Sequence, residues 1–472
     1  MNILNLKLKQ FQFDPNDPFK FDLLGRKEEI LNLSLLASNV NSPAVIAIDS
    51  RWGTGKTTFI KLWEQYLKAE NKPRLYFNAW ETDFSDDPLV SFLGEMNEGL
   101  KNLIGSSDKA NEAWEKTKAA GRQVAKRGIP ALIRVATAGI IDADKIIEEE
   151  AVKAAGSLAG DALDNYLQQK EAIYEFHNAL ANFIENSANG RQLVIFVDEL
   201  DRCRPNYAIE LLERIKHLFN IEGLIFVLAL DKEQLGHSIA AVYGNGIDST
   251  GYLRRFIDFE YQLKKPDISN YIESLISSLD LEEFFNPRVK YRELQCDQEY
   301  LKKVFIMLAL GLQLSLREIE QFLASINIAI RTAKENEYIF PALLVFLIIS
   351  KHFKPDAYQR YISDDGDEKE LIDYLYKIVP EKNRNDSFEC ALVEGFLIAA
   401  KKSRFSKGES AIFLRHREIL QDAELDNKGK QYSDTVINIV NRPAGTGHGV
   451  NLKQLKDRIE WLSRFDFLDI QD

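Results

Sequence analysis

Three uninterrupted apolar runs, each closed by an acidic residue, give this chain its first pattern. They are Ala44–Ile48 before Asp49, Leu193–Val197 before Asp198, and Leu224–Leu230 before Asp231. Short, β-branched and apolar on every position, they read as strands buried on both faces, as in a parallel sheet. After the first run the spacing changes: Phe59, Ile60, Leu62, Trp63 and Leu67 recur at helical intervals, so a helix follows from about Lys56. The segment RLYFNAW, ending at Trp80, reads as a further strand end. Trp80 itself is expected to pack in the core, with Asn78 a polar contact near an attacking water. The segment from Glu171 is an amphipathic helix that Gly190 should stop. The run Ile339–Ser350 is only about a dozen residues, against the roughly 20 a bilayer needs, and is read as a buried helix.

With 472 residues the chain exceeds what one ordinary core holds, so two or three packed units are expected. A formal charge of -12 argues against a protein that coats nucleic acid nonspecifically, though it leaves room for a local basic groove. The three cysteines, Cys203, Cys296 and Cys390, form no close pair, and the histidines are scattered. Neither a disulfide framework nor a zinc site is expected, and a reducing, cytoplasmic location fits. The opening MNILNLKLKQFQFDP lacks the apolar core of a secretory leader.

The candidate chemistry sits where strand turns into helix. In Ser50–Thr58 (SRWGTGKTT), Gly53 and Gly55 let the backbone curl so that N–H groups face phosphate oxygens, and the start of the next helix adds its partial positive charge. Lys56 would reach the β- and γ-phosphates, the Thr57 hydroxyl would ligate Mg²⁺, and Thr58 would close the first helical turn. The usual pattern places glycine at position 50, where this chain has Ser50; a small residue is tolerated there if its φ is negative. At the end of the second strand, Asp198 is expected beside the phosphate loop, holding Mg²⁺ mostly through water. Glu199 would orient and partly deprotonate the attacking water.

Together these residues resemble the KAP family of P-loop NTPases. WGTGKTT (Trp52–Thr58) is similar to its tryptophan-containing phosphate loop and DELDRC (Asp198–Cys203) to its extended acidic motif. FNAW (Phe77–Trp80), LLGR (Leu23–Arg26), LIFVLALDKEQL (Leu224–Leu235) and LSLREIEQFLASIN (Leu314–Asn327) match its aromatic strand end, entry segment, sensor strand and lid helix. The resemblance spans roughly residues 20 to 330. It implies an α/β fold: a doubly wound parallel sheet of the ASCE/AAA-like P-loop type with a helical insert, a helical lid and a helical C-terminal region. It also implies that Arg51, Trp52, Gly53, Thr54, Gly55, Lys56, Thr57 and Thr58, with Gly25, Arg26 and Asp231, contact ATP. Asp198 and Thr57 would then hold Mg²⁺. Glu199 and Lys56 would be catalytic, and an arginine among Arg202, Arg254, Arg255 and Arg317 would complete the site, with Arg202 and Arg317 the leading two. Many family members carry transmembrane helices in the insert. Charges interrupt this one throughout, so a soluble helical insert is expected.

The expected organisation is an N-terminal arm and first half of the core (1–86), the insert (87–188), the second half of the core (189–265), a lid (266–335) and a mostly helical C-terminal region (336–472). Small residues at Ala151, Ala155, Gly156, Ala159 and Gly160 suit close helix packing. Lys118, Arg122, Lys126 and Arg127 form a basic run, read as a solvated face or a docking point for an acidic partner. Arg442–Val450 is a glycine-rich loop with no lysine for a second phosphate site.

The leading functional expectation is Mg²⁺-dependent ATP hydrolysis coupled to conformational change or assembly, as a homo-oligomer or with a separate effector protein. The resemblance points to a bacterial setting, with defence against phage one role. An ATP-binding scaffold without turnover is the second reading, and a small-molecule kinase the third.

Overall fold

In a computed structural model of the protein, the described residues are 14, 17–40, 42–104, 107–127, 159–187, 192–363, 366–380, 384–402, 410–422, 427–442, 449–462 and 464. The small-residue pattern at 151–156, Gly190, and most of the glycine-rich loop after Arg442 lie outside them. The described residues divide into two compact units, one within 11–265 and one within 266–472.

The first unit is built on five strands: β1 (Ala44–Asp49), β2 (Arg74–Asn78), β3 (Leu193–Asp198), β4 (Leu224–Leu230) and β5 (Phe259–Gln262). All pairings are parallel, in the order β2-β3-β4-β1-β5. This is the fold of a P-loop NTPase. The apolar runs are explained by the layers around the sheet. Successive side chains point to opposite faces, and both faces are covered. Ile46, Ile48, Phe196, Val227 and Ala229 pack against α1 (Lys27–Asn39) and α2 (Lys56–Ala69). There the Trp63 ring meets Phe196 edge-on, with centroids 5.3 Å apart.

The opposite face, including Val45, Phe77, Ile195, Val197 and Phe226, is covered by α3 (Pro88–Gly99), α4 (Lys101–Ile104), α5 (Asp108–Arg127), α6 (Ala159–Ser187) and α7 (Pro205–Leu218). Phe92 on α3 is its aromatic hub, with Phe77, Phe219 and Phe226 within 6.0 Å. Helices α3, α4, α5 and α6 make up the described part of the segment expected as the insert (87–188), and α5 and α6 are pinned together by Trp114 against Phe183 at 5.0 Å. Gly121 permits this packing. A Cβ there would stand 2.4 Å from a methyl of Leu93 and 3.3 Å from the Phe176 ring. Helices α8 (Lys232–Tyr243) and α9 (Ser249–Leu253) complete the unit. On α5, Arg122 and Lys126 are exposed, while Lys118 pairs with Glu115 at 2.7 Å.

The second unit is helical: α10 (Ile268–Ser278), α11 (Leu281–Phe285), α12 (Asp297–Leu312), α13 (Leu316–Arg331), α14 (Pro341–Phe353), α15 (Pro355–Ile362), α16 (Lys369–Ile378), α17 (Phe388–Lys401), α18 (Ala411–Gln421), α19 (Asn427–Asn441) and α20 (Leu452–Leu462). The apolar run at 339–350 forms α14, buried at every position from Pro341 to Ser350. No helix among the described residues is long and apolar enough to cross a membrane. Two buried polar clusters tie this unit together. Arg288, fully buried, donates to the carbonyls of Lys334, Glu335 and Glu337 and to Asp297 Oδ2 at 2.7 Å. Glu394 accepts from Tyr376 Oη at 2.6 Å, from Tyr432 Oη and from His416 Nε2 at 2.8 Å, joining α16, α17, α18 and α19.

Candidate functional site

The carboxyl ends of β1, β3 and β4 open into the segments that carry the candidate residues. Beyond β1 the loop turns through Gly53 (φ 73°) and Gly55 (φ 89°), left-handed conformations that glycine adopts without steric penalty. Ser50 is not among the positive-φ residues, which is the condition a serine needs there. Its hydroxyl accepts from Thr54 Oγ1 at 2.7 Å, and its carbonyl accepts from Lys56 Nζ. Lys56, only 9% exposed, opens α2. Burial lowers its pKa, against the opposing pull of Asp201, Asp231, Asp49 and Asp198. Arg51 is exposed, and Thr57 and Thr58 are half-buried in the first turn of α2.

Strand β4 lies between β1 and β3, so Asp198 is not on the strand adjoining the loop's own. It reaches α2 through its side chain. Asp198 is 1% exposed; burial raises its pKa, and hydrogen bonds from the Thr57 and Tyr76 hydroxyls, the latter at 3.0 Å, pull the other way. Thr57 and Asp198 thus offer two hard oxygen donors side by side, a donor set that suits Mg²⁺, which takes one or two carboxylates and fills its remaining positions with phosphate oxygens and water. Among the described residues no group of three or more His, Cys, Asp or Glu is placed to hold a metal ion by itself.

Glu199 follows in a left-handed conformation, φ 59° and ψ 28°, sparsely populated for a non-glycine. Both its carboxylate oxygens are engaged. Arg202 Nη1 lies 3.1 Å from Oε1, and Asn78 Nδ2 donates to Oε2 at 3.1 Å. The Arg202 guanidinium rests over the Trp80 ring, 5.8 Å from its centroid. Trp80 is therefore not a core residue: it is 52% exposed, because β2 ends at Asn78 and the chain turns outward, with the backbone N–H of Trp80 donating to Asn78 Oδ1 at 3.1 Å.

Asp201 was not singled out in the sequence, yet it is central. Its Oδ2 accepts from the Trp52 indole N–H at 2.5 Å and from the backbone N–H of Asp231 at 3.1 Å. Burial raises its pKa, opposed first by Lys56. The only sequence signal was the second aspartate in DELDRC. Asp231 is 5% exposed and caps α8, accepting from Glu233 and Gln234 N–H at 3.1 and 3.4 Å. Cys203 is buried, which pushes its thiol pKa well up.

Gly25 takes φ 65°, and Arg26, 1% exposed, is the N-cap residue directly before α1. Arg26 Nη1 donates to Glu29 Oε2 at 2.8 Å and to the Lys264 carbonyl at 2.5 Å. Lys264 follows β5, where Gln262 is level with Asp49 of β1, so Arg26 sits near the edge from which the loop after β1 departs. Its Nε and Nη2 are buried without a hydrogen-bond partner. Arg254 and Arg255 are exposed just past α9, and Arg317 belongs to the second unit, on α13.

The sequence profile of the KAP family P-loop domain matches residues 27–333. None of the curated proteins matches the chain. Among solved structures, that of a DNA replication initiation factor aligns with 94% of this chain and all of its own, at 11% identity and a TM-score of 0.24.

Proposed function

The chain belongs to the KAP family of P-loop domains, and from that premise we propose that it binds and hydrolyses ATP with Mg²⁺, coupling turnover to conformational change or assembly. The loop's N–H groups, the α2 N-terminus and Lys56 receive the phosphates. Thr57 and Asp198 hold the Mg²⁺, which when bound offsets charge on the phosphate oxygens. Glu199 orients the attacking water and takes its proton. Arg26, with two buried unpartnered donors, serves the nucleotide from the β5 side, and Arg202 is the arginine nearest the reaction. The observation that carries this reading is the Thr57 side chain set against the buried Asp198 carboxylate, with Glu199 next in the chain. Adenine is preferred over guanine because no NKxD stretch is present. The work itself would be done with further copies of the chain or a separate effector, in a setting such as phage defence that the family resemblance suggests.

The test is phosphate release from ATP and Mg²⁺ by the unchanged chain, by Glu199→Gln and by Lys56→Ala. Turnover that both changes abolish, with ATP still bound by Glu199→Gln, supports hydrolysis. Tight ATP binding with no turnover supports the second reading, a nucleotide-binding scaffold. One observation favours that alternative: both oxygens of Glu199 are already held, by Arg202 and Asn78.

A further inference from the structure

We infer that Asp201 is a positioning residue that holds the phosphate loop in shape through Trp52 and links that loop to Glu199. The inference rests on the nucleotide-binding reading above.

Trp52 stands at the loop tip and is 40% exposed. Burial of the rest of the ring holds the indole against the protein but is non-directional and does not set the loop's shape. What fixes it is its N–H, 2.5 Å from Asp201 Oδ2, and a hydrogen bond to a carboxylate is roughly twice as strong as one between neutral groups. The same oxygen accepts the Asp231 N–H at 3.1 Å. One carboxylate oxygen thereby joins the loop after β1, the turn after β3 and the first residue after β4. Asp201 is 8% exposed, so water competes weakly for these bonds.

The turn that carries Asp201 is a single 3₁₀ turn, Leu200–Arg202. Its next residue, Arg202, is the one paired with Glu199 Oε1. Asp201 and Arg202 therefore move together. A shift of the loop tip as phosphates arrive passes through Trp52 and Asp201 to the partner of Glu199. In the empty protein the same bond keeps the loop ordered, so less ordering remains to be done on binding.

The experiment is a double-mutant cycle on the full chain, reading ATP and ADP affinity by calorimetry in the unchanged protein, Trp52→Phe, Asp201→Ala and the double variant, with Asp201→Asn as the conservative control. Trp52→Phe should weaken both nucleotides about tenfold in the unchanged background, the loss of one charge-assisted bond, and less than about twofold in the Asp201→Ala background. Asp201→Asn keeps an acceptor oxygen and should stay within about threefold of the unchanged protein. Equal losses from Trp52→Phe in both backgrounds, or a loss below about twofold in the first, overturn the inference. If the unchanged protein binds neither nucleotide, the nucleotide reading itself has failed. The contact is then decided by Trp52 emission, taken as the difference between the unchanged protein and Trp52→Phe. A change in that emission upon Asp201→Ala supports the tie, and its absence overturns it.

Discussion

Arg202 and Glu199, three residues apart on one turn, form an ion pair at 3.1 Å, with the guanidinium laid against the exposed Trp80 ring. The pair is partly solvated, at 31% and 16% side-chain exposure, so its own contribution to stability is small. Its importance is positional, since it occupies one oxygen of the carboxylate proposed to take a proton from water.

If Arg202 leaves Glu199 for the γ-phosphate during turnover, Arg202→Ala should lower kcat by at least about tenfold while ADP affinity stays unchanged. Single-turnover phosphate release with saturating ATP reads this directly. An increase in kcat would instead identify Arg202 as a restraint on Glu199.

Asp198→Asn should separate stability from function. Burial raises the pKa of Asp198: the site disfavours the charged carboxylate, a desolvation cost that a neutral amide avoids. The amide oxygen still accepts from Tyr76, while its nitrogen gives up the Glu199 N–H that Oδ1 accepts at 2.9 Å. Each 1 kcal/mol recovered raises Tm by about 2–4 °C in a unit of this size. The variant should therefore melt higher than the unchanged protein in calorimetry, yet lose Mg²⁺-dependent ATP binding. A lower melting temperature would show that the bonds to the charged form outweigh burial.

Asp297 sets a pH dependence in the second unit. Burial raises its pKa to about 6, against the pull of Arg288. The native form thus holds its proton at pH values where the unfolded chain has released it, and this group's contribution to stability falls as pH rises from about 4 to 6. Urea unfolding across that range should show the fall in the unchanged protein and a flatter profile in Asp297→Asn. Identical profiles would remove Asp297 as the cause.

Glu394 runs the other way. Burial opposes its charge, but bonds from His416, Tyr376 and Tyr432 hold its pKa below the usual range. Its stabilising effect is present above the unfolded pKa of about 4.3 and is lost as pH falls through the lower native value. Glu394→Ala leaves three donors facing a void and should destabilise by about 3–5 kcal/mol at pH 7. Tyr432→Phe, losing one donor, should cost about 1–2 kcal/mol. Denaturant midpoints of the two variants check this ranking.

The sequence by itself determined the elements whose signals are local. The run Ala44–Asp49, two glycines and a helically spaced segment specify strand, glycine turn and helix, since each residue there answers to its near neighbours in the chain. The run ending at Asp198-Glu199 was legible for the same reason, as was the buried helix read at 339–350, which the structure forms at Pro341–Phe353. What only the tertiary structure decided depends on strand order. With β4 between β1 and β3, Asp231 arrives beside Asp201, and Tyr76 on β2 reaches Asp198. Trp52 and Asp201 are 149 residues apart in the chain and 2.5 Å apart in space; no periodicity encodes such a pair. Trp80 looked like core because a tryptophan after an apolar run usually is, but the strand had ended two residues earlier. Local patterns state which faces must be buried. Which polar side chains then meet at the edges of those faces follows from how the buried faces stack, a property of the whole sheet rather than of any segment.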